Sequence, residues 1–221
     1  MQDRQLLDTF HDQVRPAHTA VLVVDMQNDY VAPGGATDKR NGNVAAGQAI
    51  IPPLRRLIDG ARRYGALVVY IKMTLDADLR LVSDVEYTRR RRRWGDIPVA
   101  VEGTWGHDVV AELAPLPGEW CVAKTRSSGF VGTNLDMVLR SHYIRTALVT
   151  GVVTQGCVAS TARDAVHHDY YTILVGDCVA SGSQRMHELA LADLEQHGQR
   201  RGQARRLGQR RNPGRPVEAQ G

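Results

Sequence analysis

Aromatic side chains are scarce, 5% of the 221 residues, and the three cysteines, Cys121, Cys157 and Cys178, stand far apart in the chain. An odd number without close spacing indicates neither a disulfide framework nor a zinc knuckle, which leaves room for a working thiol. Long apolar runs are missing too: none approaches the ~20 residues that a membrane-spanning helix needs. The opening MQDRQLLDTFHDQVRPAHTA carries Asp3, Asp8 and Asp12 and no apolar stretch ending in a small-residue cleavage site. The expectation is therefore a cytoplasmic protein without a secretory leader or a membrane partner. G-x-G-x-x-G, Walker and G-x-S-x-G patterns are absent, which removes the best support for dinucleotide, nucleotide and serine-hydrolase functions. What is present is an ordinary globular composition. Glycine (21) and proline (9) are near average and apolar residues reach 43%, enough for one sizeable core and against collagen-like or wholly disordered chains.

The net charge of +4 and the pI near 9.1 invite a nucleic-acid partner, but the position of the charge decides more than its sum. Of 28 basic residues, seven arginines lie between Gln199 and Gly221 with only Glu218 opposing them, so the rest of the chain has 21 basic against 23 acidic residues. That last segment has almost no apolar residue besides Leu207 and Val217 and no usable period. It cannot bury enough surface to offset its ordering entropy. The division expected is one domain over residues 1–198 and a disordered Arg-rich tail over 199–221, and a shifted reading frame near His197 or Gly198 would account for the change in composition.

Short β-branched apolar runs recur at Ala20–Val24, Ala66–Ile71, Trp120–Ala123, Thr146–Thr150 and Tyr171–Val175, each reading as a strand buried on both faces. Helical periods lie between them. Pro52 suits a first turn ahead of Leu54, Leu57, Ile58 and Ala61, with Gly65 as the stop. Thr133 suits a cap before Leu135, Val138 and Leu139; a helix from Gln155 or Gly156 would bury Val158, Thr161, Ala162 and Ala165; another runs from Ser183 through Met186, Leu189, Ala190 and Leu194. Alternating strands and helices give an α/β fold class, a Rossmann-like three-layer α/β/α architecture with a mostly parallel sheet. Ligands bind such sheets beyond the carboxyl ends of the strands. That edge carries Asp25, the Lys72–Asp76 region, Lys124 and the Gly151–Cys157 turn.

Three of these residues are chemically complementary. A cysteine at a helix N-terminus feels the positive end of the dipole, and a nearby ammonium such as Lys124 would further favour thiolate, so Cys157 is expected to be nucleophilic at neutral pH. Asp25 beside it could carry the proton. Taken singly, a strand-end Asp often caps a turn, a Lys is usually solvated and a Cys among Gly and Val is often core, so residue types alone leave this trio one reading among several.

The segments VLVVDMQNDY (21–30), EGTWG (102–106), AKTRSSGFVGTNLDMVLR (123–140) and VTGVVTQGCVASTARDA (149–165) resemble, in order and spacing, the signature blocks of the isochorismatase-like cysteine hydrolases. The resemblance covers about residues 18 to 197. It implies a homo-oligomer, dimer or tetramer, and an Asp-Lys-Cys triad matched by Asp25, Lys124 and Cys157. It implies a cis peptide before the cysteine, matched by Val153 and Thr154, and an oxyanion hole from the backbone N–H groups of Thr154 and Cys157. The presence of the cysteine points to C–N rather than vinyl-ether cleavage, and the KTRSSGFVGT and EGTWG blocks look most like the amidohydrolases of small ureido or carbamoyl acids. No metal or other cofactor is implied: the family's nicotinamidases hold a metal with histidines after the second strand, where this chain reads KMTLDADLRLVSD. Substrate-binding residues by match are Asn28, Tyr30, Trp105, Phe130 and Gln155, although Phe130 and Tyr30 would equally suit the core and Asn28 a turn. The substrates expected are a small amide or ureido compound and water.

One feature stands outside that pattern. Arg89 to Arg93 is an unbroken run of five arginines before Trp94. A basic nucleic-acid-binding or interaction protein on the same scaffold would use such a run and the tail. The nearby Asp84, Glu86 and Asp96 favour a solvated helix face or subunit contact instead, and one arginine could clamp a substrate carboxylate.

Overall fold

The computed structural model describes residues 6–40, 42–197 and 199–204. Along the chain run α1 (Phe10–Gln13), β1 (Thr19–Val24), α2 (Asn28–Val31), α3 (Ala36–Lys39), α4 (Ala45–Ala49), α5 (Ile51–Tyr64), β2 (Leu67–Met73) and α6 (Asp84–Trp94). They are followed by β3 (Trp120–Lys124), α7 (Leu135–Ser141), β4 (Thr146–Val152), α8 (Ala159–His167), β5 (Tyr171–Ala180), α9 (Gln184–Gln196) and β6 (Arg200–Gly202). The strands form one sheet in the order β3-β2-β1-β4-β5-β6, and every pairing is parallel rather than mostly so.

Strand β1 is buried throughout, and its alternation separates the two covering layers. Ala20, Leu22 and Val24 join Leu135, Leu139, Ala162 and Leu194, so α7, α8 and α9 cover that face. Val21 and Val23 join Leu54, Leu57 and Ile58, so α5 covers the other. Each such leucine or valine contributes ~1.5–3 kcal/mol by leaving water. Helix α5 follows its sequence signals, with Pro52 in the first turn and Gly65 ending it in the left-handed region at φ 76°. In α9, by contrast, Met186 and Leu189 face solvent while Ala190, Leu191 and Leu194 are buried.

The chain fills β1, β2 and β3 toward one side of the sheet and then returns beside β1 as β4. The carboxyl ends of β1 and β4 thus flank the topological switch point, where such folds open a ligand crevice. Gly151, at φ +101°, lets the two strands meet there: a Cβ would stand 2.0 Å from the carbonyl oxygen of Val24.

The boundary expected at residue 199 is corrected. Arg200–Gly202 pairs with Ile173–Val175 of β5 as a sixth strand, the Ala204 N–H donates to Asp177 Oδ1, and Gln199 and Ala204 are buried. Backbone pairing on an existing edge needs no apolar signature, so composition could not reveal it. The remainder of the expected tail, 205–221, lies outside the described residues.

Candidate active site

Three strand ends and one turn converge at the switch point. Asp25 leaves β1 at φ 51°, a left-handed conformation that aspartate tolerates better than most residues. Its N–H donates to the Ile71 carbonyl at 2.9 Å, and Oδ1 accepts the Met73 N–H at 3.0 Å, so the end of β2 fixes the carboxylate. Lys124 is the last residue of β3, in register with Met73, and its side chain is wholly buried. From there Nζ donates to Asp25 Oδ2 at 2.9 Å and reaches Cys157 Sγ at 3.3 Å. The three residues drawn from the sequence are therefore one bonded cluster.

Burial alone would lower the Lys124 ammonium, but the charges of Asp25 and Cys157 and their hydrogen bonds hold it above its ordinary value. The Cys157 thiol is pushed up to about 12, first by burial and then by the Asp25 charge, against the opposing pull of Lys124. Both effects oppose the thiolate that the helix position and the neighbouring ammonium favour. Lys124 already neutralises Asp25, so it has little left to offset the desolvation of a second anion. A thiol hydrogen-bonded to a carboxylate can still react by giving that carboxylate its proton.

Cys157 follows β4 on a wide turn, Thr154–Val158, broken at Gly156 (φ −109°, ψ −109°), immediately before α8. The cis peptide joins Val152 to Val153, one residue earlier than the Val153–Thr154 bond that the resemblance implied. Thr154 is fully buried, and its Oγ1 lies 2.8 Å from His187 Nδ1 on α9. His187 gave no signal in the sequence, because nothing local marks a histidine that meets a residue 33 positions away.

Cys157 and Asp25 open onto a cavity of about 640 Å³, which Tyr30 and Gln155 also line. Burial, together with the nearby Asp25 and Cys157, raises the Tyr30 phenol well above its ordinary value, so it remains protonated. The other three expected substrate binders do not reach the cavity. Asn28 is buried and donates Nδ2 to the Trp105 carbonyl at 2.8 Å. Trp105 turns its ring to solvent, 55% exposed, and Phe130 is buried in the core, stacked on His168 at 4.7 Å. The Gln27-Asn28-Asp29 segment is a backbone clamp: Gln27 Nε2 serves the Met73 and His107 carbonyls, and Asp29 accepts the N–H groups of Ala36 and Ala100. Gly106 is required beside it, since a Cβ would lie 2.3 Å from Asp29 Oδ2.

Helix α6 supplies what sequence reading left unplaced. Arg89, Arg90, Arg92, Arg93 and Trp94 line the cavity, as do Arg40 and Glu86. Glu86 pairs with Arg89 at 2.8 Å and with Arg90 at 3.2 Å, while Arg40 and Arg93 lie over the Trp94 ring, 5.5 and 5.1 Å from its centroid. Among the described residues no group of three or more His, Cys, Asp or Glu could hold a metal ion, and no helix is long and apolar enough to cross a membrane.

Residues 19–202 match the family model of the isochorismatase domain. The ureidoacrylate amidohydrolase RutB of Rhizobium rhizogenes is 36% identical over 174 residues, covering 74% of this chain and 71% of that relative. Among solved structures, an isochorismatase family protein from Desulfovibrio vulgaris superposes with a TM-score of 0.76 at 30% identity, covering 86% of this chain and 96% of that one. The N-carbamoylsarcosine amidase from Thermoplasma acidophilum gives 0.66 at 28% identity, covering 84% and 96%.

Proposed function

The chain belongs to the isochorismatase family, and from that premise we propose that Asp25, Lys124 and Cys157 are its catalytic groups. Their reaction is hydrolysis of the C–N bond in a small ureido or carbamoyl compound. The chain is an amidohydrolase acting on non-peptide amides, a reading supported by its similarity to ureidoacrylate amidohydrolase and N-carbamoylsarcosine amidase. The observation that carries the assignment of groups is the single ammonium of Lys124 bonded both to Asp25 and to Cys157 at the cavity floor.

In the proposed sequence the Cys157 thiol gives its proton to Asp25 as sulfur attacks the carbonyl carbon. The oxyanion is received by the backbone N–H groups of Cys157 and Thr154. Collapse of the tetrahedral adduct breaks the C–N bond, and Asp25 returns the proton to the departing nitrogen. A thioester remains, or a thiocarbamate when the carbonyl was ureido. Asp25 then deprotonates water, which attacks that carbonyl, and the thiol leaves with the proton as the acid departs. Lys124 keeps its charge throughout and stabilises whichever partner is anionic. Tyr30 and Gln155 face the substrate from the cavity wall.

Residues 19–202 act in this reading as one hydrolase domain, and the protein works in the cytoplasm as a homo-oligomer. The exposed apolar side chains of Leu81, Val85, Met186 and Leu189 supply surface for assembly, which light scattering would count. The test of the reaction is ammonia release from a panel of ureido and carbamoyl acids, maleamate and nicotinamide, by wild type and Cys157→Ala. Turnover of a ureido or carbamoyl member should fall at least ~10³-fold in the variant. A folded Cys157→Ala protein that retains near wild-type turnover overturns the proposed roles.

A further inference from the structure

The charges around the cavity do not balance. Its two carboxylates are both engaged: Asp25 by Lys124 at the floor, and Glu86 by Arg89 and Arg90 on the wall. Arg40, Arg92 and Arg93 line the same space, and among the described residues none of them has an ion-pair partner. Three guanidinium groups are thus turned on a cavity that holds no free anion of the protein. Two of them also lie over the Trp94 ring, whose cation–π attraction anchors both to one aromatic side chain. In turn, Trp94 leans on Tyr30, with ring centroids 6.1 Å apart, so the arginine wall is tied to a residue beside the nucleophile. Arg91, which does not line the cavity, is the one member of the five-arginine run that finds Asp96 instead, at 3.7 Å.

A solvated helix face would have no reason to direct four of five consecutive arginines toward one concavity. The volume of about 640 Å³ lies in the range that accommodates drug-sized ligands and greatly exceeds a lone ureido group. Arginine also recognises planar acid groups bidentately, which suits two separate carboxylates better than a single charge.

Resting on the amidohydrolase reading, we infer that the substrate is a doubly anionic carbamoyl or ureido compound, with its scissile carbonyl at Cys157 and its acid groups on Arg40, Arg92 and Arg93. Two carboxylates and one phosphate monoester share this chemistry. The geometry makes these arginines specificity determinants rather than catalytic groups.

Two measurements test it. Turnover is compared for n-propylurea, N-carbamoylglycine, N-carbamoylaspartate and 2-ureidoethyl phosphate, which carry no charge, one carboxylate, two carboxylates and one doubly charged phosphate. The kcat/KM for one of the two doubly charged compounds should exceed that for N-carbamoylglycine at least ~10-fold. The preference should shrink when salt rises from 20 to 500 mM, as screening requires, and which dianion leads distinguishes carboxylates from phosphate. Equal kcat/KM across measurable substrates overturns the inference while leaving the C–N hydrolase reading intact; absence of hydrolysis throughout, alongside the broader panel, counts against that reading instead. Independently of turnover, Cys157 is alkylated with iodoacetamide and with 2-bromosuccinate, and the ratio of rates is followed by peptide mass spectrometry. The ratio of bromosuccinate to iodoacetamide rates should fall ~10-fold in the combined Arg40→Gln, Arg92→Gln, Arg93→Gln protein and stay constant in Arg91→Gln. An unchanged ratio in the folded combined variant overturns the inference on its own.

Discussion

The cavity floor and the cavity wall solve opposite electrostatic problems. At the floor, Asp25 and Lys124 are buried, Cys157 is half-buried, and each is held by another member of the cluster. On the wall, Arg40, Arg92 and Arg93 are exposed and without ion-pair partners among the described residues. A buried charge must be compensated within the fold, whereas an exposed one can wait for a ligand. The floor therefore depends on the sheet, and the wall on what enters it.

The sharpest separation comes from removing one cation from each. Lys124→Met leaves Asp25 buried and uncompensated, which should cost ~3–5 kcal/mol in urea unfolding together with turnover. Arg92→Gln should change stability by no more than ~0.5 kcal/mol. In the double variant Asp25→Asn, Lys124→Met most of the stability should return, because no unpaired charge remains. If Lys124→Met unfolds at the same urea concentration as wild type, the floor is not the charge-compensated unit described above.

The same contrast was unequally legible in the sequence. Asp25, Lys124 and Cys157 follow runs of β-branched residues that mark strands, and a parallel sheet brings strand ends together whatever the loops do. The wall has no such register. A run of arginines looks the same whether its helix faces solvent or a cavity, and only the placement of α6 beside Tyr30 decides it. Asn28, Trp105 and Phe130 misled for a related reason. Polar and aromatic residues near a motif resemble ligand contacts, yet Asn28 satisfies a loop carbonyl and Phe130 packs under α7 and α8. The resting state of Cys157 was hidden because helix position and a neighbouring lysine can be read along the chain, while desolvation cannot.

That last point gives a pH experiment. The thiol lies near 12 because burial and the Asp25 anion both disfavour thiolate. Alkylation of Cys157 by neutral iodoacetamide in wild type should therefore keep rising from pH 7 to 10 without a plateau. Asp25→Asn removes the negative charge, so the thiolate becomes easier to form and the profile should move to lower pH. A wild-type plateau near pH 7 would mean that Lys124 and the α8 N-terminus outweigh burial, restoring the picture of a pre-formed thiolate. Cys121, exposed on β3, provides an internal profile on the same digest.

The smallest effect distinguishes the two ends of what composition read as a single tail. Strand β6 covers the edge of β5 along Ile173, Leu174 and Val175, residues that are all but completely buried. Ending the chain at residue 198 would expose that edge and release the Ala204 bond to Asp177. Losing three paired residues and the buried Gln199 and Ala204 should cost ~2 kcal/mol, which lowers Tm by roughly 4–8 °C for a domain of this size. The catalytic cluster lies on β1, β3 and the turn after β4, with β5 between that turn and β6, so kcat should change less than ~3-fold at 25 °C. A chain ending at residue 204 keeps β6, so its Tm set against that of the shorter chain isolates what the strand contributes. If the two truncations melt alike, β6 contributes nothing to stability.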